Sequence, residues 1–437
     1  MTVHNQEITN KFILSKEYKR NLVFLKNYNS FYLWQGGWYK FLKDDEIKSL
    51  IFDFISKEYP KKNVTSSLVN DIFTQVKWKV IEKRENEDKN YICFKNKVYN
   101  LNTFEFEEFN PKKIITYYFP FNVSELEQEI PNFTNFLKTS LVKEGTNDTD
   151  NELISLVQEM MGYFLLDRME AATFFLVGDG ANGKSKLCDT VKEMIGRQFC
   201  SSMNIETLTI QRFSTTNLIG KRLNVSNEEE SKYMKSDKFK ALITGEQITA
   251  ERKGGDHFEF IPSTKYLFAS NEIPTFSSIN HGLIRRIKII PFHRKFKEKE
   301  QDKQLLQKLY AELPGIMSWA LDGAKRLKKN GFRFSRAKSS DTSIREFENE
   351  ISSGVRFVRD EYEINPELGL FTSNIDLYID YRKWCDENGK KPINKISFCR
   401  DVVKNIEGVS DKTFNNIRGK NIIKKQNINL DDINFKE

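Results

Sequence analysis

The sequence has few cysteines and no pattern that would put them to use. Its five cysteines include no C-x-x-C pair and no Cys/His group with zinc-ligand spacing, which argues against disulfides and a structural zinc site. No run of about 20 apolar residues is present, and residues 1–6 do not begin a signal-peptide pattern. Internal repeats are also absent. We therefore expect a protein of the bacterial or viral-host cytoplasm, with no membrane partner.

Charge of neither sign dominates the chain. Lys and Arg exceed Asp and Glu by 69 minus 61, or +8. Residues 381–437 hold thirteen basic and eight acidic residues, a local excess of +5. A basic end of this kind is typical both of a solvated tail and of nucleic-acid contact, and composition does not decide between them.

Apolar patterning divides the 437 residues, which are enough for two or three domains, into successive regions. The fold class that we predict is α/β, because short apolar strands alternate with helical stretches in the middle of the chain. A polar segment near residues 334–353 is predicted to be a linker. The regions are an N-terminal α+β domain, a helical segment, an α/β domain and a C-terminal domain, at residues 1–123, 124–170, 171–333 and 345–437.

A glycine-rich segment, GDGANGKS, follows an apolar strand and precedes a predicted helix. It fits G-x-x-x-x-G-K-[ST], in which backbone amides and a lysine hold nucleotide phosphates and the hydroxyl binds Mg²⁺. The alternative is a merely structural glycine-rich turn. The predicted nucleotide-binding residues are Gly178, Asp179, Gly180, Ala181, Asn182, Gly183, Lys184 and Ser185.

Two later strands end in polar residues that suit phosphate chemistry. Residues 223–226 form an apolar strand, and Glu228 and Glu229 follow it, placed to hold Mg²⁺ or to polarise water. The alternative is a solvated acidic helix start, and the sequence does not decide which glutamate takes which role. The next strand, residues 265–270, ends at Asn271, which can hydrogen-bond the attacking water or the γ-phosphate.

Five ordered blocks resemble the superfamily 3 helicases, and above all the primase-helicase group of phages, plasmids, poxviruses and other mobile elements. The blocks are FFLVGDGANGKS, LIGKRLNVSNEEE, ALITGEQITAERKGGDHFEFIPSTKYLFASNEIP, HGLIRRIKIIPF and ELPGIMSWALDGAKRL. The resemblance implies an AAA+-type ATPase that uses ATP and Mg²⁺ and assembles into a ring, commonly a hexamer. It also implies movement along single-stranded DNA and unwinding of forked DNA, typically in the 3′ to 5′ direction.

The same resemblance assigns roles to single residues. Lys184 and Ser185 take the phosphate-loop positions, Glu228 the acid position and Asn271 the sensor position. Arg285 and Arg286 take the paired-arginine position, at which one arginine acts on the γ-phosphate of a neighbouring subunit. Without the surrounding blocks, two arginines beside a strand are as easily explained by surface ion pairs.

Residues 248–263 have two alternating flanks about a Gly-Gly turn, which predicts a β-hairpin. In the resembling family this hairpin projects into the ring channel, and a lysine near its tip touches DNA. That residue is Lys253 here, with Arg252 and His257 as weaker candidates. A lysine beside a turn is otherwise simply solvated.

The two ends of the chain differ in what they resemble. The C-terminal segment is similar to the winged-helix appendage of this group, although a small helical bundle fits equally well. The first 123 residues show no paired-aspartate polymerase site, so a separate primase or polymerase is an expected partner, or the chain is the helicase part of a larger protein. The alternatives to a helicase are an ATP-dependent, origin-binding replication initiator and a non-replicative P-loop motor ATPase.

Overall fold

The computed structural model describes most of the chain, with gaps. The described residues are 3–19, 21–26, 29–81, 88–229, 236–251, 257–271, 281–351, 353–364, 371–388, 392–406 and 408–425. Within these ranges, no helix is both long enough and apolar enough to cross a membrane.

The N-terminal region mixes helices with two small antiparallel sheets. Its elements are α1 (Val3–Leu14), β1 (Leu22–Leu25), β2 (Ser30–Trp34), β3 (Tyr39–Leu42), α2 (Asp44–Glu58), α3 (Ser66–Lys79), β4 (Tyr91–Cys93), β5 (Val98–Asn100) and β6 (Glu105–Glu107). The sheets have the orders β1-β2-β3 and β4-β5-β6. Ile8, Ile47 and Ile72 are fully buried where α1, α2 and α3 pack together against the first sheet.

The middle of the chain forms a five-stranded sheet. Its elements are α4 (Pro131–Ser140), α5 (Asn151–Leu165), β7 (Thr173–Val177), α6 (Lys184–Ile195), β8 (Cys200–Ser201), α7 (Ile205–Ile210), β9 (Leu223–Glu229), α8 (Ser236–Thr244), β10 (Ile248–Glu251), β11 (His257–Phe260), β12 (Lys265–Ser270), α9 (His281–Ile284) and β13 (Ile287–Pro291). The sheet has the order β13-β7-β12-β9-β8, and every pair in it is parallel. The α/β class predicted for this region is confirmed.

Strand β7 shows why both faces of this sheet are covered. Its side chains alternate, so Phe174 and Leu176 join the core formed with α5 and α6, whereas Phe175 lies in the core on the opposite face with α7 and α8. A parallel strand buried on both sides is expected to be almost continuously apolar, as FFLV in β7 is.

After the sheet come α10 (Leu305–Ala311), α11 (Leu313–Lys329) and α12 (Lys338–Ile351). The helical segment is broken at Glu312, and Pro314 lies in the first turn of α11, where proline is tolerated. The predicted linker over residues 334–353 is wrong, since α12 occupies most of it and packs on β13. Its sparse apolar positions include Phe347, which is buried in the core of the sheet.

The C-terminal region has a core of its own around Phe357, Tyr381 and Phe398. Its elements are α13 (Ser353–Glu361), β14 (Tyr362–Ile364), β15 (Thr372–Ser373), α14 (Asn374–Glu387), α15 (Lys395–Asn405), β16 (Asp411–Phe414), β17 (Ile417–Lys420) and β18 (Ile422–Lys424). Strands β16 and β17 form a hairpin turning at Asn415 and Asn416, both with positive φ.

Two buried cations attach the end of α5 to the central sheet. Lys265 is 1% exposed, and its ammonium donates to the carbonyl of Leu166. Arg222 donates to the carbonyl of Leu165 at 3.1 Å and lies over the ring of Tyr117. The last carbonyls of a helix carry partial negative charge, so cations are favoured there.

This burial makes stability depend on pH. Burial lowers the pKa of Lys265 from 10.5 to about 7, and Arg222 acts in the same direction. Between those values the unfolded chain binds a proton that the folded chain lacks, so stability rises as pH rises from 7 to 10. We expect the free energy of unfolding of the wild type to increase over that range by a few kcal/mol more than that of Lys265→Met. Denaturant titrations of both proteins check this, and parallel curves would contradict it.

Candidate functional site

The loop after β7 adopts backbone angles that favour glycine. Gly178 has φ 150° and Gly183 has φ 98°. A Cβ on Gly178 would lie 2.4 Å from the carbonyl oxygen of Phe292, because the chain leaving β13 runs directly against the loop. The amide of Phe292 donates to Val177, and the amide of Phe296 donates to Ala181. The loop is therefore held in place by the segment after β13.

This loop offers unpaired amides at the start of a helix. Helix α6 begins at Lys184, directly after Gly183. In the part of the chain that the structure describes, the backbone amides of Gly180, Ala181, Asn182 and Gly183 donate to no protein acceptor. Amides converging at a helix N-terminus are a physical arrangement that favours anions.

Lys184 lies inside this loop. It is buried, and its ammonium donates to the carbonyls of Gly178 and Asp179, the latter at 3.0 Å, and to the side-chain oxygen of Asn182 at 3.2 Å. Burial lowers the pKa of Lys184, which the nearby Asp179 carboxylate opposes. A cation held only by neutral oxygens has electrostatic capacity left for an anionic group.

The chemistry of a bound Mg²⁺·nucleotide fits the groups present. The hydroxyl of Ser185 is exposed at the first turn of α6, beside the free amides. The described residues contain no group of three or more His, Cys, Asp or Glu that could hold a metal by themselves. Mg²⁺ on a nucleotide does not need one, since it usually takes one or two protein oxygens together with phosphate oxygens and water.

The predicted acid and sensor positions lie at the same edge of the sheet as the loop. Strand β9 runs three residues further than residues 223–226, so the backbones of Glu228 and Glu229 belong to it, with Glu229 opposite Ser270. The alternative of a helix start there is wrong, although the two side chains lie outside the described part. Asn271 follows β12 and is exposed. Because β12 lies between β7 and β9, Asn271 stands between the loop and the acids.

The two arginines lie at the other end of the sheet. Arg285 and Arg286 precede β13, and the carbonyl of Arg286 accepts from Thr173, the first residue of β7. Four residue steps along β7, or about 13 Å, separate Thr173 from the loop end of that strand. Arg285 is exposed, and among the described residues no carboxylate forms an ion pair with either arginine.

The predicted hairpin exists as β10 and β11, which pair from Ile248 with Phe260 to Glu251 with His257. Lys253 and Arg252 lie outside the described residues. His257 is exposed, and its Nδ1 is 3.6 Å from the Glu251 carboxylate.

Sequence reasoning missed a neighbour of this hairpin. Arg212 donates to the Glu251 carboxylate at 2.6 Å, and its guanidinium lies over the ring of Phe213, which is 40% exposed. The only sequence signal was a cation beside an aromatic residue in a short loop. The structure brings this pair to Glu251, the last residue of the β10 arm.

Comparisons with known proteins agree with the resemblance. Residues 12–142 match a family described as "D5 N terminal like", and residues 176–286 match a family of unknown function, DUF5906. A protein of Acanthamoeba polyphaga mimivirus named as a helicase is 27% identical over 71% of this chain and 34% of its own length. A similarly named protein of invertebrate iridescent virus 3 is 24% identical over 48% of this chain and 23% of its own length.

The fold also has a solved counterpart. The apo C-terminal region of NrS-1 superposes with a TM-score of 0.52 at 15% identity, over 92% of this chain and 96% of that one. At this identity the likeness concerns the fold. The present chain spans about a third or less of the two curated viral relatives. The family match and the viral relatives support a likeness of this chain to the phage and viral primase-helicase-like group.

Proposed function

We propose that the chain is an ATP-dependent DNA helicase of superfamily 3, acting in replication of a phage, plasmid or other mobile element. The observation that carries the proposal is the strand order of the central sheet. It sets the loop of residues 178–185, Asn271 and the backbone of Glu228 side by side at one edge. This is the arrangement that an AAA+-type P-loop ATPase needs for hydrolysis of a Mg²⁺-bound nucleotide.

In this proposal each residue has one task. Lys184 and the free loop amides hold the β- and γ-phosphates of ATP. Ser185 and Glu228 hold Mg²⁺, and Glu229 and Asn271 orient the attacking water. Arg285 or Arg286 comes from a neighbouring copy, because both lie at the far end of their own sheet. ATP hydrolysis then depends on assembly into a ring, which we propose to be a hexamer.

The hairpin supplies the DNA contact. Lys253, with Arg252 and His257, meets the phosphates of single-stranded DNA as the ring moves in the 3′ to 5′ direction. The exposed Phe213, with Arg212 beside the hairpin arm, adds a stacking surface for a base. The viral relatives named as helicases support this part of the proposal.

Unwinding of a forked duplex tests the function. We expect ATP hydrolysis that single-stranded DNA stimulates, together with ATP-dependent strand separation measured by release of a labelled strand. Lys253→Ala should lower unwinding far more than it lowers DNA-free ATP hydrolysis, because the hairpin is separate from the phosphate loop. Lys325→Ala, which removes an exposed lysine paired with Asp322, is the control. Hydrolysis indifferent to DNA, without unwinding, would instead favour a non-replicative motor.

A second candidate is an ATP-dependent origin-binding initiator. The observation that favours it is the C-terminal region, where helices α14 and α15 are followed by the β16–β17 hairpin, as in a winged helix. Exposed cations lie on α15 and on this hairpin, among them Lys395, Arg400, Lys412 and Arg418. Preference of the full chain for one duplex sequence over random DNA at physiological salt would favour this candidate.

A further inference from the structure

Trp78 is a strongly exposed aromatic residue near the end of α3. It lies in the last turn of α3 and leaves 68% of its surface open. Single exposed apolar side chains are ordinary and need no explanation. Trp78 differs because its neighbours in the chain, Lys77 and Lys79, are both basic.

Neither of these lysines is neutralised by a carboxylate in the described part of the chain. Lys77 donates to the side-chain oxygen of Asn29 at 2.8 Å and lies 4.8 Å from the centre of the Phe24 ring. Lys79 donates to the side-chain oxygen of Asn10. Amides orient an ammonium group without cancelling its charge, so both positive charges remain available to an anion.

The hydrogen bond from Lys79 to Asn10 joins the end of α3, where Trp78 lies, to helix α1. The next residue of α1, Lys11, places its ammonium 5.3 Å from the centre of the Tyr59 ring, on the side of α1 that faces the end of α2. There an open cleft of about 530 Å³ is lined by His4, Tyr59, Pro60, Lys61 and Lys62. Aromatic and basic side chains therefore lie on both sides of α1.

The charge of these segments is positive overall. Residues 4–14, 58–62 and 71–81 contain Lys11, Lys61, Lys62, Lys77 and Lys79 against Glu7, Glu58 and Asp71. Glu7 is paired with Lys11 at 3.2 Å. We call the surface formed by Trp78, Lys77 and Lys79 on one side of α1, and by Tyr59, Lys61 and Lys62 on the other, the α1 face.

We propose that the α1 face binds single-stranded DNA, as a contact outside the ATPase region. An exposed indole flanked by cations matches an unpaired base stacked on a ring, with its phosphates beside the ammonium groups. A duplex offers no free base face to Trp78, so the occupant is a single strand. The inference rests on the proposed helicase function. It adds a second contact with the translocated strand, besides the hairpin.

The test measures binding of a fluorescein-labelled oligo(dT) to the full chain by anisotropy, with a non-hydrolysable ATP analogue. Stacking on an aromatic residue contributes about 1–3 kcal/mol per base, so Trp78→Ala should raise Kd about tenfold. Trp78→Phe, which keeps a ring face, should lose less. Phe52→Ala is the matched control, since Phe52 is a comparably exposed aromatic residue of the same region, on α2.

Salt dependence separates the lysines from the indole and remains informative if Trp78→Ala folds poorly. Lys77→Gln with Lys79→Gln should reduce the slope of log K against log salt by about 1.4, or about 0.7 for each phosphate that a lysine no longer neutralises. Wild-type binding and slope in all of these variants would overturn the inference while leaving the helicase proposal intact. Failure of the wild type to bind would end both. Loss of binding that follows a smaller assembly in sedimentation velocity would show an interface between copies and overturn the DNA assignment.

Discussion

Replacing Lys184 with alanine is expected to abolish ATP turnover, lowering kcat/KM at least about a hundredfold. The structure holds the ammonium against the carbonyls of Gly178 and Asp179 and the amide oxygen of Asn182, which keeps a buried positive charge at the centre of the loop. Phosphate oxygens satisfy that charge better than neutral carbonyls do, so its loss weakens both nucleotide binding and stabilisation of the transferred phosphoryl group.

Two measurements separate this effect from damage to the fold. The melting temperature of the wild type should rise when Mg²⁺·ADP is added, and that of Lys184→Ala should not. Lys138→Ala, an exposed lysine on the neighbouring helix α4, is the control and should hydrolyse ATP as the wild type does. Hydrolysis by Lys184→Ala at the wild-type rate would exclude the loop of residues 178–185 as the phosphate site.

Local patterns account for what the sequence predicted well. The strand before the loop, helix α6 and the hairpin arms β10 and β11 are each specified within about ten residues, by apolar runs, glycines and alternation. The sequence also indicated where strands end. In a parallel sheet, the carboxyl ends of the strands lie at the same edge. The proximity of Asn271 to the loop follows from that rule, but the strand order that makes them neighbours needed the structure.

Tertiary contacts explain what the sequence did not predict. The sequence predicted a linker where α12 lies because that segment is mostly polar, although its few apolar residues, such as Phe347, recur at helical spacing. In the sequence, Lys265 looks like an ordinary surface lysine at the start of a strand. In the structure it is buried, and its ammonium donates to the carbonyl of Leu166 at the end of α5. Arg212 contacts Glu251 across 39 positions of sequence, a distance that no local pattern covers.

Replacing Arg285 with alanine is expected to leave nucleotide binding intact and to lower the hydrolysis rate about a thousandfold in the assembled protein. Arg285 is exposed at the amino end of β13, whereas its own loop lies beyond the opposite end of β7. Arg286→Ala is expected to act in the same direction. The Arg286 guanidinium is tied to the carbonyl of Gly282, so we expect Arg285 to be the one that reaches a neighbouring copy. Arg336→Ala, an exposed arginine paired with Asp341, is the control.

Mixing two inactive variants gives the sharpest test of action between copies. A copy carrying Arg285→Ala keeps an intact loop, and a copy carrying Lys184→Ala keeps an intact Arg285. A complete site therefore forms wherever the loop of an Arg285→Ala copy faces the arginine of a Lys184→Ala copy. In a closed ring assembled at random from equal amounts, roughly a quarter of the interfaces have that orientation. Hydrolysis should therefore return to roughly a quarter of the wild-type rate after the two variants are assembled together. If both groups acted within one copy, no interface would be complete, and the mixture would stay as inactive as its components.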